Sequence, residues 1–242
     1  MNKLVYPLVT LAGFAAILLL LATGVGYQKG AFDLAQAFSL LRIGALVGII
    51  GAGFAIFFIL WQRPQGLNLV FIFLSALLGI VAFYMPYKQL LLAQQLPAIH
   101  DITTDTDNPP VFVAMARVRV ASPNPIAYDG PETAVQQRRA YPDIRTSIIP
   151  HSTDEVFAEA MQVIEVLGWS FAEANLQQGR IEATVTSRWF GLKDDVVIRL
   201  APAAPDSTVF DMRSKSRVGI TDVGSNAQHI RDFTAALNAR LQ

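Results

Sequence analysis

The order of apolar and polar residues divides the chain near residue 90. Residues 1–92 carry only six charged side chains, and three uncharged apolar runs of about 20 residues make up most of this part. A helix of roughly 20 apolar residues crosses the ~30 Å hydrocarbon layer of a bilayer. The pattern therefore predicts a three-helix transmembrane bundle over residues 1–92, with spans at about 4–25, 40–61 and 67–87. Residues 27–41 are expected to form a short interfacial helix between the first two spans.

Small residues recur at a four-residue spacing in the second predicted span, at Gly44, Gly48 and Ala52. Such a stripe lets helix backbones approach closely. It favours either packing against the other two spans of the same chain, or a seam where a second copy or a partner membrane protein docks. Asp, Glu and His are absent from the spans, which argues against ion transport by the bundle alone.

The part that follows, residues 93–242, has the composition of a water-exposed domain and begins with a proline-rich segment. Eight of the thirteen prolines fall between Pro97 and Pro150, so most of this segment is unsuited to a regular helix or a central strand. Apolar residues such as Phe112 and Tyr141 argue against a flexible linker. We interpret residues 93–150 as an extended arm that packs along the domain.

Residues 151–242 alternate between helical and strand-like patterns. Capping boxes beginning at Ser152 and Ser225 open two helices with apolar residues at three- and four-residue spacing. Between them, four strands are predicted at about 169–175, 180–189, 195–200 and 208–218, with connections of hairpin length. The order α-β-β-β-β-α predicts an α+β fold, an antiparallel sheet with flanking helices.

Charge and composition exclude several function classes. Residues 1–92 carry a net charge of +4 and residues 93–242 a net charge of −4. An acidic domain is a poor partner for nucleic acid. The expected partner is the lipid bilayer, through the three apolar spans. Cysteine is absent, which excludes disulfides, thiol catalysis and iron–sulfur clusters. No phosphate-binding loop, dinucleotide-binding motif or nucleophile elbow occurs, so no catalytic residues and no cofactors are predicted.

The last predicted strand carries the best candidate for a ligand-binding site. Arg213, Lys215 and Arg217 recur with period two, which places them on one face of the sheet, and Arg188 ends the polar face of a neighbouring strand. Cations lined up in this way need an anionic partner. That partner is either external, such as a lipid phosphate or a ligand carboxylate, or one of five internal carboxylates: Asp143, Glu182, Asp194, Asp195 and Asp211.

A second candidate is an acidic stretch at the start of the arm. Asp101, Asp105 and Asp107 place oxygen atoms at short spacing, which suits a hard cation such as Ca²⁺. The spacing is not that of an EF-hand, and the same residues are common in local turns. A metal site and plain turn structure both remain open.

Several short motifs in this part are distinctive in combination. They are Ile99-His100-Asp101-Ile102-Thr103-Thr104-Asp105, Asn108-Pro109-Pro110, Gln137, Tyr141-Pro142-Asp143-Ile144, Gly168-Trp169, Ile181-Glu182-Ala183, Trp189-Phe190-Gly191, Asp194-Asp195-Val196 and Arg213 to Gly219 with Asp222, Gly224 and Asn226. With these motifs the sequence resembles the bacterial and plastid family of unknown function DUF1499 over about residues 98–241. The resemblance implies one domain that includes the arm, located in the cell envelope, and it implies no particular reaction.

Together these features predict a membrane-anchored envelope protein without enzymatic activity, whose domain binds a partner protein or an anionic lipid-like ligand. One alternative is a metal-assisted hydrolase that uses His100 with acidic residues of the domain. Another is a structural subunit of a membrane complex. The expected location is the bacterial inner membrane, with the C-terminal domain outside the cytoplasm.

Overall fold

The computed structural model describes residues 5–242, so Leu4, the first residue of the first predicted span, lies outside the described residues. The chain forms two compact units. The first consists of the residues up to Leu92 together with Arg188–Gly191, and the second consists of Ala93–Ser187 and Leu192–Gln242.

The first unit is built from three long helices. Helices α1 (Val5–Gln28), α2 (Leu34–Gln62) and α3 (Gly66–Gln95) are each long and apolar enough to cross a membrane. The expected interfacial helix over residues 27–41 is wrong. Asp33 accepts the backbone N–H of Gln36 at 2.8 Å, and the Gln36 side chain accepts the backbone N–H of Asp33 at 3.0 Å. This capping box starts α2 at Leu34, so half of the expected helix is the beginning of α2.

The small residues of α2 face the other two helices of the same unit. A Cβ atom on Gly48 would lie 2.6 Å from the carbonyl oxygen of Gly79 in α3. One on Gly51 would lie 2.8 Å from the Cβ of Ala12 in α1. The stripe that includes Gly44, Gly48 and Ala52 is therefore filled from within the chain, and a partner helix would have to displace these contacts.

The second unit contains a six-stranded antiparallel sheet. Its strands are β1 (Asp101–Thr103), β2 (Ser147–Ile149), β3 (Ser170–Asn175), β4 (Arg180–Thr186), β5 (Lys193–Ala204) and β6 (Ser207–Ser216). Their order is β1-β6-β5-β4-β3, and β2 also pairs with β6. The predicted α+β fold is confirmed. Strand β4 ends three residues earlier than predicted, because Ser187 donates its N–H to Leu192 O and turns the chain.

Two helices cover one face of this sheet. Helices α6 (Thr153–Val166) and α7 (Ser225–Arg240) pack on the apolar residues of β4, β5 and β6, and Phe210, Met212 and Phe233 are buried between the layers. Ser152 caps α6, accepting the N–H of Glu155 at 3.4 Å. The other half of the predicted capping box does not form, because the Glu155 carboxylate lies 3.0 Å from Nδ1 of His151.

The predicted capping box at Ser225 is wrong. The N-cap of α7 is Gly224, which lies at φ 83° and, being glycine, has no side chain that could cap the helix. The carboxylate of Asp222 instead accepts the N–H groups of Gly224 at 2.8 Å and of Asn226 at 3.0 Å. The carboxylate of Asp222, two residues before the N-cap, thus takes the role expected of the Ser225 hydroxyl.

The proline-rich arm packs against the sheet and contributes to it. It supplies β1 and β2, the short helix α4 (Ala114–Val118) and helix α5 (Pro131–Ala140). Gln137 of α5 pairs with the outer edge of β1 as a strand would. Its side chain accepts the N–H of Thr103 at 3.0 Å and donates to Thr103 O at 2.6 Å. The arm therefore closes an edge that would otherwise expose unpaired backbone groups.

Candidate functional site

The polar face of the sheet lies opposite α6 and α7. Successive side chains of a strand point to opposite faces, so Asp211, Arg213 and Lys215 share one face while Phe210, Met212 and Ser214 share the other. Part of the arm covers this polar face, and Phe112 and Met115 of the arm form a small buried cluster with Val197 of β5. Most of the charged groups on this face are therefore buried.

Arg213 and Lys215 are fully occupied by partners inside the domain. Arg213 donates from Nε and Nη2 to the two oxygens of Asp101, both at 2.8 Å. Lys215 uses its three protons on Asp101 at 3.0 Å, on Asp129 at 2.6 Å and on the carbonyl of Ala127 at 2.6 Å. Both side chains are almost inaccessible to solvent. These two predicted ligand-binding residues have no room for an external anion.

Arg217, which directly follows the end of β6, shares the carboxylate of Asp195 with a second arginine. Its Nε and Nη2 donate to Asp195 at 2.9 and 2.7 Å. Nη1 of Arg119 lies 3.4 Å from the same carboxylate and donates to the carbonyl of Lys215 at 3.1 Å. Burial lowers the pKa of Arg119. Two guanidinium groups on one carboxylate leave a local excess of positive charge.

An open groove of about 430 Å³ lies next to this excess charge. Arg217 and Lys193 line it together with hydroxyl groups and apolar side chains. The other lining residues are Ala114, Met115, Val118, Ser170, Phe171, Ala172, Thr184 and Thr186. Lys193 is exposed and has no carboxylate within salt-bridge distance among residues 5–242. The groove can thus offer two cations to an anion and an apolar surface to whatever the anion carries.

Glu182 fixes the wall of the groove that α4 forms. Its carboxylate accepts the backbone N–H groups of Val113 at 2.7 Å, Ala114 at 3.1 Å and Met115 at 2.9 Å. Arg180 Nε lies 3.1 Å from the same carboxylate. Glu182 is completely buried, so the start of α4 is tied to the sheet by a charge-assisted contact away from water.

The remaining predicted ligand residue, Arg188, does not lie in the strand to which it was assigned. Strand β4 ends at Thr186, so Arg188 does not continue its polar face. It is exposed and belongs to the Arg188–Gly191 segment of the first unit. Of the four predicted residues, only Arg217 lines the groove.

The three predicted metal ligands do not converge. Asp101 is taken by Arg213 and Lys215, as described above. Asp105 accepts the N–H groups of Asp107 and Asn108 and a hydrogen bond from Arg199 at 2.8 Å. Burial acts to raise the pKa of Asp105, but these hydrogen bonds outweigh it and lower the pKa.

The third residue, Asp107, has a side chain that is 94% exposed, and Arg138 lies 3.6 Å from it. Across residues 5–242, no group of three or more His, Asp or Glu side chains is arranged to hold a metal ion. The arrangement favours turn structure over a cation site in this stretch.

A separate polar cluster lies at the start of α7. Ser214 Oγ is 3.3 Å and Asp194 Oδ2 is 3.8 Å from the same ring nitrogen, Nδ1 of His229. A catalytic relay needs the base to use one ring nitrogen for the nucleophile and the other for the carboxylate, which this geometry does not provide. Burial raises the pKa of Asp194 and lowers that of His229. The cluster resembles a satisfied polar contact between α7 and the sheet.

Sequence reasoning missed the residues that complete the site. Asp195 was among the expected internal partners, but Asp101 and Asp129, which hold Arg213 and Lys215, were not. Arg119 lies in an irregular segment, and Lys193 begins a strand without a repeated charge pattern. No periodic signal marks any of these positions, because they are brought together by the fold of the arm.

The fold defines a class: three helices able to cross a membrane, followed by an α+β unit with an open six-stranded antiparallel sheet. The sequence profile of the family described as protein of unknown function (DUF1499) matches residues 101–237. The match spans more than half of the chain, and the protein belongs to this family, which confirms the resemblance seen in the sequence. No curated protein matches the chain.

Proposed function

We propose that this protein is a membrane-anchored, non-enzymatic envelope protein whose extramembrane domain binds an anionic, lipid-like ligand. The observation that carries the proposal is the excess positive charge beside the groove. Arg119 and Arg217 share the carboxylate of Asp195, and Lys193 adds a further exposed cation. A phosphate or carboxylate in the groove would balance this charge, since arginine suits both groups.

The short connection between the domain and α3 supports a lipid-like ligand. Only five residues separate α3, which ends at Gln95, from β1, which begins at Asp101. A domain tethered so closely to a membrane helix meets lipid-like molecules at high effective concentration. This favours them over solutes of the bulk phase.

The alternative functions have less support. A metal-assisted hydrolase would need its carboxylates to converge. However, Asp101 pairs with Arg213, Asp143 pairs with Arg231 at 2.7 Å, and Asp194 and Asp195 point to opposite faces of the sheet. A structural subunit docking through Gly44, Gly48 and Ala52 would compete with the contacts of α1 and α3.

The proposal is tested by comparing the binding of two ligands that have the same alkyl chain and different headgroups. The full-length protein in phosphatidylcholine nanodiscs is titrated by calorimetry with octyl phosphate and with octyl glucoside, and empty nanodiscs give the baseline. Wild type is expected to prefer the phosphate, and Lys193→Gln is expected to weaken that binding about tenfold, the value of one charged hydrogen bond. Equal binding of the two headgroups by wild type would overturn the proposal.

Arg139→Gln is the matched control. Arg139 is exposed on α5, has no carboxylate within 4.0 Å among residues 5–242, and does not line the groove. The Arg139→Gln variant removes one positive charge from the domain, as Lys193→Gln does. A loss of binding as large in the control as in Lys193→Gln would indicate attraction by net charge and not by this groove.

The location outside the cytoplasm is supported only by the family resemblance and is tested separately. Alkaline phosphatase fused after Gln242 is active only if the domain lies outside the cytoplasm. A fluorescent protein fused at the same position, of a kind that folds only in the cytoplasm, is bright only if the domain lies inside it. We expect phosphatase activity without fluorescence. Fluorescence of the second fusion would place the domain in the cytoplasm.

A further inference from the structure

We infer that the ligand of the groove is a single-chain amphiphile: one alkyl chain that ends in one anionic headgroup. This inference rests on the proposed function and narrows it to a ligand class. It follows from the separation of polar and apolar side chains within one groove.

The apolar side of the groove is more exposed than a site for a small anion requires. Phe171 on β3 is 53% exposed and Val118 on α4 is 55% exposed, and both line the groove. The half-buried Ala114 and Ala172 also line the groove, as does Met115, which is buried. Large apolar side chains gathered at a concave surface mark a place where an apolar ligand or partner binds.

The polar side has donors that are free to meet the headgroup. Arg217 uses Nε and Nη2 on Asp195 and Thr184, and no hydrogen bond among residues 5–242 uses its Nη1. Lys193 is exposed beside it, and Thr186 adds an exposed hydroxyl. A tetrahedral phosphate or a planar carboxylate can accept from the guanidinium and the ammonium together.

The size of the groove favours one chain over two. Its volume of about 430 Å³ lies near the lower end of the range for small-molecule sites. A headgroup and a single alkyl chain suit such a volume, whereas the two chains of a diacyl lipid would leave much of their apolar surface in water.

The test varies chain length at a constant headgroup. Ethyl, butyl, hexyl and octyl phosphate are titrated into the full-length protein in phosphatidylcholine nanodiscs, with empty nanodiscs as the baseline for partition into lipid. Wild type is expected to bind about two- to fourfold more tightly for each added methylene, since each buried methylene contributes to transfer from water. Phe171→Ser is expected to lower that gain.

Ile148→Ser is the matched control, because Ile148 is a comparably exposed apolar residue on β2 and does not line the groove. The control should keep the chain-length gain of wild type. A gain that is absent in wild type, or that is identical in Phe171→Ser and wild type, overturns the inference. If wild type preferred phosphate over glucoside but its affinity did not depend on chain length, the inference of an amphiphilic ligand would be wrong. The anion site of the proposed function would still be supported.

A competition arm identifies the source of the ligand. Oleoyl lysophosphatidic acid is built into the nanodisc and hexyl phosphate is added from water. Loss of hexyl phosphate binding supports an amphiphile drawn from the bilayer. Undiminished binding supports one that arrives from solution.

Discussion

The carboxylate of Asp101 and the guanidinium of Arg213 form a two-point hydrogen-bonded pair that is almost completely buried, with both contacts at 2.8 Å. The aromatic rings of Phe112 and Tyr128 lie over the guanidinium at 5.1 and 5.4 Å from its central carbon. The pair joins the three-residue strand β1 to β6 and holds the arm on the sheet. Its burial also explains why Arg213 is a structural residue and not a ligand contact.

Asp101→Asn is therefore expected to destabilise the second unit strongly. In either orientation the amide turns its N–H₂ group toward a donor of Arg213 in place of an accepting oxygen, and the buried guanidinium of Arg213 loses its counter-charge. Breaking a buried ion pair by removing one partner costs about 3–5 kcal/mol. The measurement is thermal unfolding of the full-length protein in detergent, followed by near-ultraviolet circular dichroism, to which Trp169 of this unit contributes.

Asp206→Asn provides the comparison for that variant. Asp206 is exposed in the turn between β5 and β6, and its replacement removes the same charge. Its unfolding temperature should match wild type. Equal unfolding temperatures for Asp101→Asn and Asp206→Asn would show that the buried pair contributes nothing to stability.

Glu182→Gln is expected to loosen α4, the wall of the groove. The carboxylate now accepts three backbone N–H groups, whereas a glutamine side chain would turn its own N–H₂ toward one of them. The backbone amides of Val113, Ala114 and Met115 should exchange with deuterium at least tenfold faster, because a lost charge-assisted hydrogen bond contributes about 1.5 kcal/mol or more.

Glu173→Gln is the control for this exchange experiment. Glu173 also lies near Arg180, at 3.3 Å, but its side chain is 42% exposed and accepts nothing from α4. Exchange at Val113 to Met115 should remain as in wild type in this variant. If Glu182→Gln left that exchange unchanged too, another contact would have to hold α4 in place.

The burial of Tyr128 should lower the stability of the folded protein at alkaline pH. Burial raises the pKa of Tyr128 to about 12, and its hydroxyl has no hydrogen-bond partner among residues 5–242. Above the ordinary tyrosine pKa of about 10, the unfolded chain loses this proton while the folded protein keeps it. The folded state then binds more protons than the unfolded state, so stability falls as the pH rises above about 10.

Tyr128→Phe removes the titrating group while keeping the ring over Arg213. Its unfolding temperature should equal that of wild type at pH 7, because no hydrogen bond is lost, and should exceed that of wild type above pH 10. The comparison is made between the two proteins at each pH, so other groups that titrate in both cancel. A constant difference between the two proteins from pH 7 to pH 11 would contradict a raised pKa.

The regular parts of the fold were predictable because their signals are local. The apolar spacing in α6, its Ser152 cap and the alternation in β4 each depend on neighbours a few residues away. The same logic placed Arg213, Lys215 and Arg217 on one face of the sheet. These features follow from the 3.6-residue and two-residue periods of helix and strand.

The burial and the ion pairs of that face were not predictable from the sequence, since they depend on contacts between residues that are distant in the chain. Arg213 meets Asp101 across 112 positions, and Lys215 meets Asp129 across 86. The arm that brings these carboxylates to the sheet is irregular and rich in proline, so no period shows which of its side chains turn inward. For Arg213 and Lys215, the choice between internal and external partners was decided only by this packing.

Gly48 offers a test of the helix packing in the first unit. A Cβ atom at this position would lie 2.6 Å from Gly79 O and 3.2 Å from the Cβ of Ala82, so α3 would have to move. Gly53, on the same helix, has no atom within 4 Å of such a Cβ. Both changes to alanine raise intrinsic helix propensity by about 1 kcal/mol, so their difference isolates the effect of packing. In the same detergent, Gly53→Ala should melt at or above the wild-type temperature, and Gly48→Ala should melt several degrees below it. Melting is followed by size-exclusion chromatography after heating, as the loss of the monodisperse peak. Equal melting of the two variants would mean that α2 and α3 do not meet at Gly48 and Gly79.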